Sequence, residues 1–116
     1  MIRMVMAGRY PPDTEHIEGG PFYNMYLQVK TLAERDDVEL HVVSRSKMVE
    51  GNTCFERDGV QFHFLGEPRR RVIPRQLTMI SRVSRVMADI APEVVVTHDP
   101  TETLAAVRAG LPTVYI

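Results

Sequence analysis

Two short runs in this chain are apolar on consecutive residues: Ile2-Arg3-Met4-Val5-Met6-Ala7 and Val94-Val95-Val96-Thr97. Successive side chains of a strand point to opposite faces, so a run of this kind needs apolar cover on both faces. Both read as buried strands, with Arg3 near the entry of the first. Helical patterns follow them. Phe22, Met25, Tyr26, Val29, Leu32 and Ala33 share one helical face, and Pro21 suits the first turn, where its missing N–H costs nothing. Leu77, Ile80, Val83, Met87 and Ile90 form a second stripe that Pro92 ends. A third helix follows His98-Asp99-Pro100, with Thr101 as its expected N-cap, and Gly110 stops it.

Between the helices, Glu39-Leu40-His41-Val42-Val43 reads as a strand and 44–52 as a polar loop. Thr53-Cys54-Phe55-Glu56-Arg57, then Asp58-Gly59, then Val60-Gln61-Phe62-His63-Phe64-Leu65 predicts a hairpin, since Asp-Gly is the strongest short-range hairpin turn signal. Thr113-Val114-Tyr115-Ile116 predicts a last strand. The order is β-α-β, a hairpin, then α-β-α-β. It implies an α/β fold: a Rossmann-like three-layer domain with a mostly parallel sheet and helices on both faces. Ligands of such sheets bind beyond the carboxyl ends of the strands, where the strand order switches.

A chain of 116 residues allows one domain with one modest core. The net charge of −1 argues against a polyanion binder by composition. Cys54 is the single cysteine, so no internal disulfide and no thiolate cage can form. The four histidines lack metal-ligand spacing, and no metal is expected. No cationic leader with an apolar h-region is present, and no apolar run approaches the ~20 residues of a membrane span. The expected localisation is cytoplasmic.

The loop after the first strand carries the functional signal. Ala7-Gly8-Arg9-Tyr10-Pro11-Pro12 leads through Asp13-Thr14-Glu15-His16 to Glu18-Gly19-Gly20-Pro21 and a helix. Glycine permits close backbone approach, and a helix N-terminus presents unpaired N–H groups and a positive partial charge, a setting that suits phosphates. The plainer alternative for Gly19 and Gly20 is a flexible turn. The pattern is neither G-x-G-x-x-G nor a P-loop, which counts against dinucleotides and nucleoside triphosphates.

Tyr10-Pro11-Pro12, Gly19-Gly20 opening a helix, Asp58-Gly59-Val60, Val94 through Pro100, and Gly110-Leu111-Pro112-Thr113-Val114-Tyr115 stand in order along nearly the whole chain. Together they resemble the N-terminal, acceptor-side domain of GT-B retaining glycosyltransferases of the subfamily 4-like type, a group that includes sucrose-phosphate synthases and mannosyltransferases of phosphatidylinositol. In that family two Rossmann-like domains face each other across a cleft, and this chain would be one half of the GT-B architecture. The resemblance implies that residues 1–116 are the front part of a longer polypeptide that transfers a sugar from a nucleotide-sugar donor to a carbohydrate or lipid-linked acceptor, with retention. It implies that Gly19 and Gly20 abut the donor diphosphate, and that the partner is a C-terminal donor-binding domain absent from this chain. Without that domain the chain is expected to be inactive. Pro21 departs from the family pattern and removes one N–H donor.

For acceptor contacts the sequence offers Tyr10, His16, His98 and Asp99, all in loops expected at the carboxyl ends of strands. The competing reading of His98-Asp99 is a loop pair that caps the next helix; for His16 it is simple solvation. His41 and His63 read as structural or solvent-facing, and Cys54 as a thiol without a partner base nearby in sequence. Arg69, Arg70 and Arg71 precede a helix bearing Arg75, Arg82 and Arg85. They read either as a solvated element or as an anionic-surface contact, to membrane lipid at the inner face or to a phosphorylated acceptor. No stacking aromatics interleave them, so nucleic acid is not expected. A non-catalytic Rossmann-like module that binds a small anionic ligand or a partner protein remains the alternative function. A response-type regulatory domain would need clustered acidic residues at strand ends, and Asp99 alone is too little.

Overall fold

Each apolar strand divides its side chains between two separate cores, and that division defines the layers. In the computed structural model, residues 1–10, 20–46, 51–67 and 74–116 are described, with side chains for all of these except 20–23 and 74–77. The elements are β1 (Ile2–Ala7), α1 (Gly20–Ala33), β2 (Val38–Ser46), β3 (Asn52–Arg57), β4 (Val60–Gly66), α2 (Pro74–Ile90), β5 (Val94–Thr97), α3 (Pro100–Arg108) and β6 (Thr113–Tyr115). One sheet has the order β3-β4-β2-β1-β5-β6. Every pairing is parallel except that of β3 with β4. This is a small α/β Rossmann-like domain.

On one face Val5, Ala7, Val43, Leu65 and Val95 pack against Met79, Val83 and Met87 of α2 and Ala105 and Ala106 of α3. On the other, Met6, Leu40, Val42, Phe62 and Phe64 pack against Met25 and Val29 of α1. The alternation V5/M6/A7 and V42/V43 is the period-2 pattern of a doubly covered strand. The hairpin turn is tight: Asp58 and Gly59 both have positive φ, 54° and 79°, as a two-residue type I′ turn requires.

Two boundaries differ from the expectation. The region 44–52 was expected to be loop, but β2 continues through Ser46, with Ser44 opposite Phe64 and Ser46 opposite Gly66. Ser44 is fully buried, and its Oγ accepts the Tyr10 N–H at 3.0 Å. A hydroxyl with a partner costs little inside a sheet, so polar character alone did not mark the strand's end. The N-cap of α3 is Asp99, not Thr101: the Asp99 carboxylate accepts from the Thr101 N–H at 2.9 Å, and Pro100 takes the first helical position.

The chain leaves β1 through α1 to β2 on one side and returns through α2 to β5 on the other side of β1. The strand order therefore reverses between β1 and β5, and the crevice above their carboxyl ends is the position where such sheets bind ligands. Among the described residues no helix is long and apolar enough to cross a membrane.

Candidate functional site

The floor of that crevice is backbone. The Gly8 N–H donates to Val43 O at 3.2 Å, and the His98 N–H donates to Ala7 O at 3.1 Å, so the carboxyl ends of β2, β1 and β5 are tied side by side. Gly8 sits so close to its neighbours that a Cβ there would lie 3.0 Å from Met25 Sδ and 3.2 Å from His98 Cβ. The absent side chain lets α1 and the His98 loop meet over the strand ends.

His98 and Asp99 follow β5 and are held firmly. Thr103 Oγ1 donates to Asp99 O at 2.9 Å and lies 2.7 Å from the Thr97 Oγ1 hydroxyl, which then supplies the proton for that second bond. Burial pushes the His98 imidazole below its ordinary pKa, so the ring is neutral. Its Nε2 is buried and has no hydrogen-bond partner among the described residues. A neutral imidazole can both donate and accept, and this nitrogen is a polar atom awaiting a partner.

Behind this loop lies a buried charge cluster. Arg45, from the end of β2, places Nη1 2.8 Å from Glu67, Nη2 3.2 Å from Asp99 and Nε 2.5 Å from Glu102. Glu102 is 1% exposed. Burial pushes its carboxyl up to about 7, against the opposing pull of Arg45. Burial also acts upward on Asp99, but hydrogen bonds from Glu102 and the Thr101 N–H, with the charges of Arg45 and Arg9, hold it below the usual range. Arg45 is raised: burial opposes its charge, and the carboxylates outweigh that. The raised Arg45 speaks for a strong ion pair and the raised Glu102 for a weak one. Glu102 shares a proton with Asp99 below about pH 7, and the raised Arg45, whose leading upward cause is the ionised Glu102, belongs to the state above it. Two neighbouring carboxyls pushed in opposite directions are a common mark of a working site. Here the burial of Glu102 keeps it from touching a ligand, and it acts on the orientation of Asp99.

The expected site residues separate. Gly20 is the first residue of α1, whose first turn carries no acidic side chain. His98 and Asp99 lie at the crevice. Asp99 combines the capping and the charged role. Tyr10 is 6% exposed, and its ring packs 5.1 Å from Phe62 and 6.2 Å from Tyr26 in the α1-side core. Tyr10 lines a groove of about 280 Å³ together with Arg57 and Asp58, and neither His98 nor Asp99 lines it. Gly19, His16 and Arg69, Arg70 and Arg71 lie outside the described residues. Of the other helix arginines, Arg82 is engaged, donating to Gly66 O at 2.9 Å and Asn52 Oδ1 at 2.7 Å.

Arg45, Glu67 and Glu102 were not singled out from sequence, because the cluster joins residues 22 and 57 positions apart. Nor was a base for Cys54, yet His63 Nδ1 lies 3.0 Å from its Sγ. A signal for that pair existed. A two-residue turn at Asp58-Gly59 sets Arg57 opposite Val60, and counting outward puts Cys54 opposite His63. No group of three or more His, Cys, Asp or Glu is placed to hold a metal among the described residues.

No protein-family model matches this chain, and no curated protein matches it.

Proposed function

We propose that this chain is the acceptor-binding half of a GT-B glycosyltransferase that moves a sugar from a nucleotide-sugar to an acceptor hydroxyl with retention. The observation that carries the reading is the crevice between β1 and β5. It brings Gly8, Met25 of α1 and His98, whose Nε2 has no partner among the described residues, together over the strand ends. In this reading the start of α1 at Gly20, with Gly19 before it in sequence, faces the donor diphosphate, whose charge the helix terminus stabilises. A turn of the His98 ring that uncovers Nε2 lets this nitrogen hydrogen-bond an acceptor hydroxyl. Asp99 stays ionised, braced by Arg45, and orients a second hydroxyl. Catalysis is then positioning plus stabilisation of the leaving diphosphate. A second α/β domain supplies the contacts to the nucleotide. The site belongs to a cytoplasmic enzyme working on a carbohydrate or lipid-linked acceptor.

The test uses the polypeptide that contains residues 1–116 together with whatever follows them. Uridine, guanosine and adenosine diphosphate sugars are offered with a set of sugar and lipid-linked acceptors, and nucleoside diphosphate release is followed. Transfer with one donor, lost in His98→Ala with an unchanged circular dichroism spectrum, is the expected result. Transfer that survives His98→Ala removes the imidazole from the site. Absence of release with every donor, together with saturable binding of a small anion, favours the non-catalytic module instead.

A further inference from the structure

On the α2 face of the sheet, toward its β3–β4 margin, the strands bring a second set of reactive side chains together. Beneath the C-terminal half of α2 lies a groove of about 490 Å³, with Leu65, Val86 and Ile90 as apolar walls. Along it runs an unbroken chain of hydrogen bonds. Cys54 Sγ is 3.0 Å from His63 Nδ1, His63 Nε2 is 3.1 Å from His41 Nδ1, and His41 Nε2 is 3.3 Å from Glu39 Oε2. Arg3 closes it, binding Glu39 through Nε and the Ile90 carbonyl at the end of α2 through Nη1 at 3.0 Å.

The chemistry of the terminal groups fixes the direction of this chain. Glu39 accepts only, since the Arg3 hydrogen bond holds its carboxyl below the ordinary range. His41 therefore donates from Nε2 and accepts at Nδ1. His63 then donates from Nε2 and is left with a free lone pair at Nδ1, aimed at the thiol. Burial, and next the neighbouring His41, keep His63 below its ordinary pKa, so that lone pair is available at neutral pH. A proton leaving Cys54 for His63 can pass on to His41, where the positive charge rests against Glu39. This is the arrangement that activates a nucleophile: a base within reach, itself oriented by further groups. A metal site is a poorer reading, because His63 spends its two nitrogens in opposite directions and the donors form a line rather than converge.

We propose that Cys54 is an activated thiol, with His63 as its base and His41 and Glu39 as positioning residues behind it, and that the groove under α2 admits a small organic disulfide for exchange at Sγ. Cys54 is exposed, so a disulfide can approach it. In the step, the Cys54 proton passes to His63 and the thiolate attacks one sulfur of the disulfide. A new S–S bond forms to Cys54, the old one breaks, and the departing thiolate takes the proton back as a free thiol. No net oxidation occurs beyond the exchange. The product is a mixed disulfide, because the chain has no second cysteine to resolve it. The charged groups facing this site are Arg3 from β1, Glu39 and His41 from β2, His63 from β4, and Arg82 and Asp89 from α2.

The test is the reaction of the folded chain with 4,4′-dithiodipyridine, followed by thiopyridone release from about pH 5 to 9. Cys54 is the only reporter, and Cys54→Ser supplies the blank. A free thiol titrates near 8.5. With a base 3.0 Å from Sγ, the folded chain should release thiopyridone severalfold faster at about pH 6.5 than the same chain unfolded in urea. His63→Gln should move the rate profile back toward that of the unfolded chain, and Glu39→Gln and His41→Gln should move it part of the way. The last two variants keep the test sharp if His63→Gln does not fold. A folded profile that coincides with the unfolded one, or that none of the folded variants displaces, would overturn the proposal and leave Cys54 an ordinary surface thiol.

Discussion

Glu102 offers the most quantitative check on the charge cluster. Its carboxyl is raised from 4.5 to about 7 by burial, so the folded chain holds a proton that the unfolded chain releases earlier. A raised carboxyl stabilises the folded state fully below pH 4.5, and that contribution is lost as pH rises to about 7. With 1.36 kcal/mol per unit, the full difference is about 3 kcal/mol, most of which falls between pH 5 and 8. Glu102→Gln keeps the shape and the hydrogen-bonding capacity but cannot ionise. Urea unfolding of both proteins at steps across this range measures the effect, and subtracting the two curves cancels the groups that do not touch residue 102. Relative to the variant, the wild type should lose about 2–3 kcal/mol on going from pH 5 to 8, a shift in midpoint of roughly 1 to 2 M urea. Below pH 5 the curves should run close together. Parallel curves over the whole range would mean that Glu102 is an ordinary ionised partner of Arg45, and the shared-proton account of the cluster would be wrong.

Gly8→Ala should cost about 1–3 kcal/mol in urea unfolding, because the added Cβ presses on Met25 Sδ and His98 Cβ in a filled space; wild-type stability would show that Met25 yields. Changing Arg69, Arg70 and Arg71 together to Ser should leave stability within about 0.5 kcal/mol, since the solvated basic element that the sequence predicts contributes little to folding. The same change should abolish salt-sensitive pelleting with phosphatidylserine vesicles; equal pelleting, or none by either protein, would rule out lipid recruitment by this segment.

The strands that form the middle of the sheet were readable because burial on both faces leaves a local trace. Met4–Ala7 and Val94–Val96 are apolar at consecutive positions for that reason, and the strands Ile2–Ala7 and Val94–Thr97 were both placed as found. The hairpin was readable because Asp58 and Gly59 supply two residues that tolerate positive φ. Ser44 and Ser46 hid the end of β2, since what keeps them in the sheet is a bond from Tyr10, 34 positions away, and a partner strand. The crevice loops could be placed, because strand order and chain direction determine them. Its electrostatics could not, because the opposed shifts of Asp99 and Glu102 depend on Arg45 arriving from another strand. The environment of Cys54 was half readable: hairpin register gives His63, while His41 joins only through the parallel pairing of β2 with β4.

The margin of the sheet at β6 has a consequence for handling. Val114 is 49% exposed and Tyr115 60%, and Ile116 continues the strand by donating its N–H to Thr97 O at 2.9 Å. Beyond them the described residues put no further strand. A row of backbone donors and acceptors flanked by apolar side chains is a template for another such row. Two copies related by a two-fold axis would join margin to margin into one sheet of doubled width, with the axis running between neighbouring strands. Self-association would then compete with any partner that covers this strand. Titrations with the chain should therefore be run at several protein concentrations, with light scattering alongside, so that a weakening signal is not mistaken for loss of ligand affinity.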